Sequence, residues 1–169
     1  TIGEVIVVAP DKPQSAMGHA ITINNTLFLD KISKENDSIT EYSCSGTPVD
    51  CVKLAVNEIL HRKPDLCVSG INHGSNSSIN VIYSGTMSAA VEAGIEGIQA
   101  IGFSLLDFDW NADFEPIKSF VKKITLETLA NKLPAGVVLN VNIPKLTAKD
   151  IKAINICRPA TPSYAPTFD

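Results

Sequence analysis

Glu4-Val5-Ile6-Val7-Val8-Ala9-Pro10 is a short run of mostly β-branched residues stopped by proline. That is the composition of a strand covered on both faces, as in a parallel sheet. Outward from it, strand and helix signals alternate. Thr47-Pro48-Val49-Asp50 starts a helix: threonine can cap, proline suits the first helical position, and an acid stands at the third. Up to about Arg62, the residues Val52, Ala55, Val56, Ile59 and Leu60 fall on one apolar stripe that can lie on a sheet. Pro64-Asp65 leads into a second strand, Leu66-Cys67-Val68, ended by Ser69-Gly70.

Residues 86–93 read as a helix stopped by Gly94, and 98–103 as a further strand. Ile117, Phe120, Val121, Ile124 and Leu129 mark a longer helix over about 114–132, and strands are expected at 137–143 and 151–156. Between the first strand and the first helix, residues 20–31 carry Asn24-Asn25 between apolar pieces, as a hairpin would. This order predicts an α/β fold: a doubly wound, mostly parallel, Rossmann-like sheet with helices on both faces. One domain over 1–169 is expected, with 157–169, rich in proline, as a loop or tail.

Lys and Arg total 14 against 18 Asp and Glu, a net charge of −4. That balance excludes binding of duplex nucleic acid through an overall positive field, while a small anion can still be held locally by backbone amides and a metal. No apolar run approaches the roughly 18 residues of a membrane span, and Thr1-Ile2-Gly3-Glu4 lacks the basic start of a signal peptide. The chain reads as soluble and cytoplasmic. Cys44, Cys51, Cys67 and Cys157 form no C-x-x-C pair and suit buried free thiols in a reducing compartment.

In an open parallel sheet, the loops leaving the carboxyl ends of the strands gather along one edge. The loop after Val8 offers Asp11, Ser15 and His19. The loop after Val68 runs Ser69-Gly70-Ile71-Asn72-His73-Gly74-Ser75-Asn76, with Tyr83-Ser84-Gly85-Thr86 close behind. Ser15 and Asn72 bring neutral hard oxygens suited to Mg²⁺ or Mn²⁺, but such an ion also needs one or two carboxylates. At Ser84-Gly85-Thr86 a helix begins, and glycine lets backbone approach a ligand while amides and hydroxyls face outward. That turn is either a phosphate cradle or a plain helix cap. Taken singly, Ser15 and Asn72 are ordinary turn residues. His19 and His73 match no defensible catalytic position, and Glu92 can be buried or face the site. The acids of 107–115 read as a solvated loop.

Four motifs occur in the order and context of the SurE family. They are Val7-Val8-Ala9-Pro10 with Ser15 and Gly18; Gly46-Thr47-Pro48 with Asp50-Cys51-Val52; Ser69-Gly70-Ile71-Asn72 with Gly74 and Asn76; and Tyr83-Ser84-Gly85-Thr86 with Ala89-Ala90. The chain resembles this family of survival-protein, metal-dependent 5′-nucleotidases over most of residues 5–104. The resemblance implies a SurE-like fold and hydrolysis of nucleoside 5′-monophosphates with one divalent ion, Mg²⁺ or Mn²⁺. It matches Ser15 and Asn72 to metal ligands, and Ser84, Gly85, Thr86 and Asn76 to phosphate or substrate contacts. It also implies a homodimer or homotetramer. SurE proteins open with a strand ending in Asn-Asp-Asp-Gly whose aspartates ligate the metal and carry much of the catalytic role. This sequence has no such strand, so those aspartates are expected upstream of Thr1, and residues 1–169 alone are expected to be inactive or weak. Two other readings differ in class: a serine hydrolase using Ser69 or Ser84, which lacks a G-x-S-x-G elbow, and a non-catalytic nucleotide-binding or oligomer-forming module.

Overall fold

A computed structural model describes residues 2–32 and 39–160. Its strands are β1 (Val5–Pro10), β2 (Leu29–Lys31), β3 (Ile39–Cys44), β4 (Cys67–His73), β5 (Ala100–Leu106) and β6 (Leu139–Pro144). Its helices are α1 (Pro48–Leu54), α2 (Gly85–Ile95) and α3 (Lys118–Ala130). The strands are hydrogen-bonded as two three-stranded sheets, β1-β3-β2 and β4-β5-β6. β1 runs parallel to β3 with Val5 opposite Ile39, and β2 runs antiparallel to β3 with Leu29 opposite Cys44. β4, β5 and β6 are all parallel. The class is the expected one, α/β and Rossmann-like.

β5 is the buried centre, with every residue from Ala100 to Leu105 buried. Its alternation sorts side chains by size between two faces. Ile101, Phe103 and Leu105 pack with Ile117 and Ile143, and with Val121 and Ile124 of α3. On the other face Ala100 joins Met87, Ala89, Ala90 and Ala93 of α2 and Val52 of α1. The alanines let α2 lie close on the sheet, and α1 packs against both α2 and β1, joining the two sheets through one helical layer.

The first helix departs from the expected span to Arg62. Thr47 and Asp50 form the reciprocal capping box that the sequence signals, but α-helical geometry ends at Leu54 and continues as a π-helical turn, Ala55–Leu60. His61, left-handed at φ 51°, closes it. β4 also runs past the expected stop at Ser69-Gly70. Gly70, at φ +110°, lies in an irregularity between Ser69 and Asn72. A Cβ there would sit 2.4 Å from the Phe103 carbonyl oxygen, so glycine permits a bulge where it was expected to end the strand.

Three other expectations are corrected. Residues 20–31 form no hairpin about Asn24-Asn25; the antiparallel pairing joins β2 to β3, a strand whose mixed Thr40-Glu41-Tyr42-Ser43 sequence concealed it. Residues 151–156 form no strand: they pair with no other described strand, and Ile156 is 98% exposed. β1 is half-buried rather than covered on both faces, with Val7 exposed, since among the described residues it pairs only with β3. In the proline-rich tail, residues 157–160 are exposed and irregular, and 161–169 lie outside the described residues.

Candidate functional site: the loops at the carboxyl ends of β1 and β4

Three of the four motifs meet at the start of α2. The Gly18 amide donates to the Tyr83 carbonyl at 3.2 Å, and a Cβ placed on Gly85 would lie 3.4 Å from the Gln14 carbonyl oxygen and 3.1 Å from Pro48 Cγ. The Ser15 loop, the start of α1 and the Ser84-Gly85-Thr86 turn are therefore in contact. Ser84 is the N-cap of α2: its hydroxyl accepts from the Met87 amide at 3.1 Å, and its carbonyl accepts from the Ser88 hydroxyl at 2.7 Å. The amides of Gly85 and Thr86 donate to no described group. Helix and cap thus leave two amides free at a positive dipole end, where an anion would be held.

Asn72 lies near the carboxyl end of β4, opposite Ser104 on β5. Its amide nitrogen donates to the His73 and Gly74 carbonyls at 3.0 and 2.9 Å, which turns the local loop back on itself. The side-chain oxygen is left as the atom that could ligate a cation. No hydrogen bond ties Asn72 to Ser15 or Ser84. Asn76 is 5% exposed, and its amide donates to the Ser104 hydroxyl at 2.8 Å. Its backbone is clamped by two asparagines of β6: Asn142 accepts from the Asn76 amide at 2.9 Å, and Asn140 donates to the Asn76 carbonyl at 2.8 Å. Asn76 is thus a structural anchor of the 72–76 loop. Asn140 and Asn142 were not anticipated, although their spacing of two on a strand puts both on one face.

Glu92, undecided from sequence, is 4% exposed and lies under the first loop. It meets His19 Nε2 at 2.8 Å and Lys53 Nζ at 2.6 Å. Burial works to raise its pKa, but the hydrogen bonds from Lys53 and His19 outweigh burial and hold it below the ordinary value. Asp50 behaves alike: burial raises, while hydrogen bonds from Thr22 and Thr47 bring the net pKa down. Both carboxylates are spent on holding α1, α2 and the 14–22 segment together.

His73 bonds through Nδ1 to the Asp109 carbonyl at 2.9 Å, and its ring packs edge-on against Phe114. Neither His19 nor His73 is hydrogen-bonded to Ser69 or Ser84; their partners are Glu92 and the Asp109 carbonyl. A 350 Å³ cavity beyond β5 is lined by Asp107, Asp109, Asp113 and Lys145. Lys145 pairs with Asp107 at 2.9 Å and, with the Asp109 amide, holds that carboxyl below its usual range. The acids make this cavity a poor host for an anion. Among the described residues no group of three His, Cys, Asp or Glu side chains could hold a metal, and Asp11 is exposed in the first loop. All four cysteines are free; Cys44 and Cys51 are buried, but Cys157 is exposed, contrary to expectation.

The sequence model of the family described as Survival protein SurE matches residues 1–166. The chain belongs to the SurE family. It is 86% identical over its full length to the 5′-nucleotidase SurE of Flavobacterium johnsoniae. Identity to the protein of the same name from Cytophaga hutchinsonii is 59% over 99% of this chain. The chain spans 65% of the length of each of these SurE relatives. Its fold matches the crystal structure of the SurE protein from Aquifex aeolicus with a TM-score of 0.80 at 39% identity, covering 92% of this chain and 61% of that one. No helix among the described residues is long and apolar enough to cross a membrane.

Proposed function

We propose that this chain carries the phosphate-binding turn and the neutral metal-supporting oxygens of a phosphomonoesterase acting on nucleoside 5′-monophosphates. The observation that carries the reading is the start of α2, where the Gly85 and Thr86 amides stay unpaired beside the Ser15 loop. The two amides receive the phosphate, with the Thr86 hydroxyl beside them. Ser84 shapes the turn, and Asn76 serves substrate by fixing the loop of Asn72. The names of the SurE relatives supply the nucleotide class.

The described residues do not by themselves fit Mg²⁺ or Mn²⁺, since Ser15 and Asn72 are neutral and no cluster of charged ligands accompanies them. The reading assigns Ser15 and Asn72 as supporting ligands of one divalent ion, completed by the paired aspartates of the family's Asn-Asp-Asp-Gly strand. A cytoplasmic location fits the free thiols Cys44, Cys51 and Cys67. Assembly as a homodimer or homotetramer fits the exposed Ile154 and Ile156 after β6.

The test uses the intact protein. Hydrolysis of a nucleoside monophosphate should be abolished by a chelator and restored by Mn²⁺ or Mg²⁺, and Asn72→Ala should lower activity at limiting metal by about 10-fold or more. Unchanged metal affinity and full activity in Asn72→Ala would remove that residue from the site. Activity blocked by a serine-directed reagent and indifferent to chelator would replace the whole reading with a serine hydrolase.

A further inference from the structure

Residues 107–114 form an extended excursion between β5 and the 3₁₀ turn Glu115–Ile117, and their two sides differ in chemistry. Asp107, Asp109 and Asp113 line the acidic cavity. The aromatic side chains lie against the 72–76 loop instead. The Phe108 ring covers Gly74 so closely that a Cβ there would fall 2.2 Å from it. Trp110 lies 6.3 Å, centroid to centroid, from the His73 ring, next in sequence to Asn72. Yet Phe108 is 80% exposed and Trp110 89% exposed. Leaving such surfaces in water forfeits much of their burial energy, so the packing of the described residues does not explain them.

We propose that Phe108 and Trp110 form the nucleobase platform of the site, stacking the base of a nucleoside monophosphate whose phosphate lies at Gly85 and Thr86. The inference rests on the phosphomonoesterase reading. Its geometry follows β5. Gly102 is backed by the Thr86 carbonyl at 3.7 Å from its would-be Cβ, while the Leu105 carbonyl accepts the Gly74 amide at 2.8 Å. Three residues of strand, about 10 Å, therefore separate the phosphate turn from the aromatic edge, with the Asn72–Ser104 level between them. A nucleoside monophosphate bridges such a gap with phosphate at one end and base at the other. Its π-face suits Phe108 and Trp110 whatever the base, so the platform selects nucleotides over aliphatic phosphates without strongly ranking the bases.

Trp110 is the one tryptophan of these 169 residues, and the fluorescence signal that Trp110→Phe removes reports on this contact. In the intact protein, adenosine, which lacks phosphate, should quench it saturably without added metal, and Phe108→Ala should weaken that binding. Trp110→Ala and Phe108→Ala should each raise KM for AMP about 10-fold while leaving hydrolysis of glycerol 2-phosphate unchanged. Both residues are largely exposed, so melting temperatures should stay close to wild type. Equal loss on both substrates, or quenching that never saturates, overturns the platform. So does a change of oligomeric state in Trp110→Ala by sedimentation, which would make the aromatics a subunit contact. A wild-type protein that hydrolyses neither phosphate but shows saturable adenosine quenching would keep the platform and overturn the phosphatase reading.

Discussion

Glu92 is a buried carboxylate that keeps its charge because Lys53 and His19 hydrogen-bond it. Its folded pKa lies below the ordinary 4.5, so its contribution to stability is present above that value and lost as pH falls through the lowered folded pKa. Glu92→Gln should therefore melt below wild type near neutrality, and the gap should narrow below pH 4.5. Thermal melts across that range decide it; a gap independent of pH would mean that Glu92 acts through shape rather than charge. Ser84 and Thr86 make a second contrast. Ser84 Oγ caps Met87, so Ser84→Ala should cost about 1 kcal/mol of stability, whereas the Thr86 hydroxyl has no described partner. Thr86→Ala should leave the melt unchanged and reduce turnover on nucleoside monophosphates by about 10²-fold. The opposite pattern, a lower melt with turnover intact, would return Thr86 to the helix.

At the level of elements, β5 and its two layers set where the site lies. Phe103 is fully buried on the α3 face, and Phe103→Ala should destabilise by about 3–5 kcal/mol through lost burial and the cavity left behind. Denaturant unfolding measures this; a loss below 1 kcal/mol would mean that the face repacks freely. β6 contributes chemistry as well as packing. Asn142→Ala removes the acceptor for the Asn76 amide, leaving a partly buried donor unpaired, a cost of about 1–3 kcal/mol. That variant should loosen the 72–76 loop, and faster hydrogen exchange at Asn76 is the readout. Unchanged exchange there would show that Asn140 alone suffices as clamp.

The whole molecule holds its sheets unequally. β4-β5-β6 has helices on both faces and a continuous buried strand, while β1-β3-β2 has half-buried strands and joins the first sheet through α1 and α2. Native-state hydrogen exchange should therefore be slowest at Ile101 and Phe103 and markedly faster at Val7 and Thr40. Equal protection in both sheets would indicate a single cooperative unit. Phe108, Trp110 and the start of α2 all adjoin β4-β5-β6, the half expected to exchange more slowly, which suits the geometry that the proposed site must keep.

The fold class and most of the elements were legible in the amino-acid order, because those signals are local. β-branched runs, the Thr47–Asp50 box and the apolar spacing over 52–60 act within a few residues, and the α/β order follows from their alternation. The four motifs also lie where the elements meet: Ser15 in the loop after β1, Asn72 near the carboxyl end of β4, and Ser84 at the start of α2. Strand pairing is different in kind, because a ladder depends on what lies alongside: β3 formed from a polar-looking segment, 151–156 found no described partner, and Gly70 made a bulge where a stop was read. Side-chain partnership across long separations was equally hidden. Glu92 meets His19 from 73 residues away, and Asn142 meets Asn76 from 66. Nothing in the neighbourhood of either residue encodes that meeting; only the packing of α2 on the first loop, and of β6 beside β5, brings the charges and amides within hydrogen-bond reach.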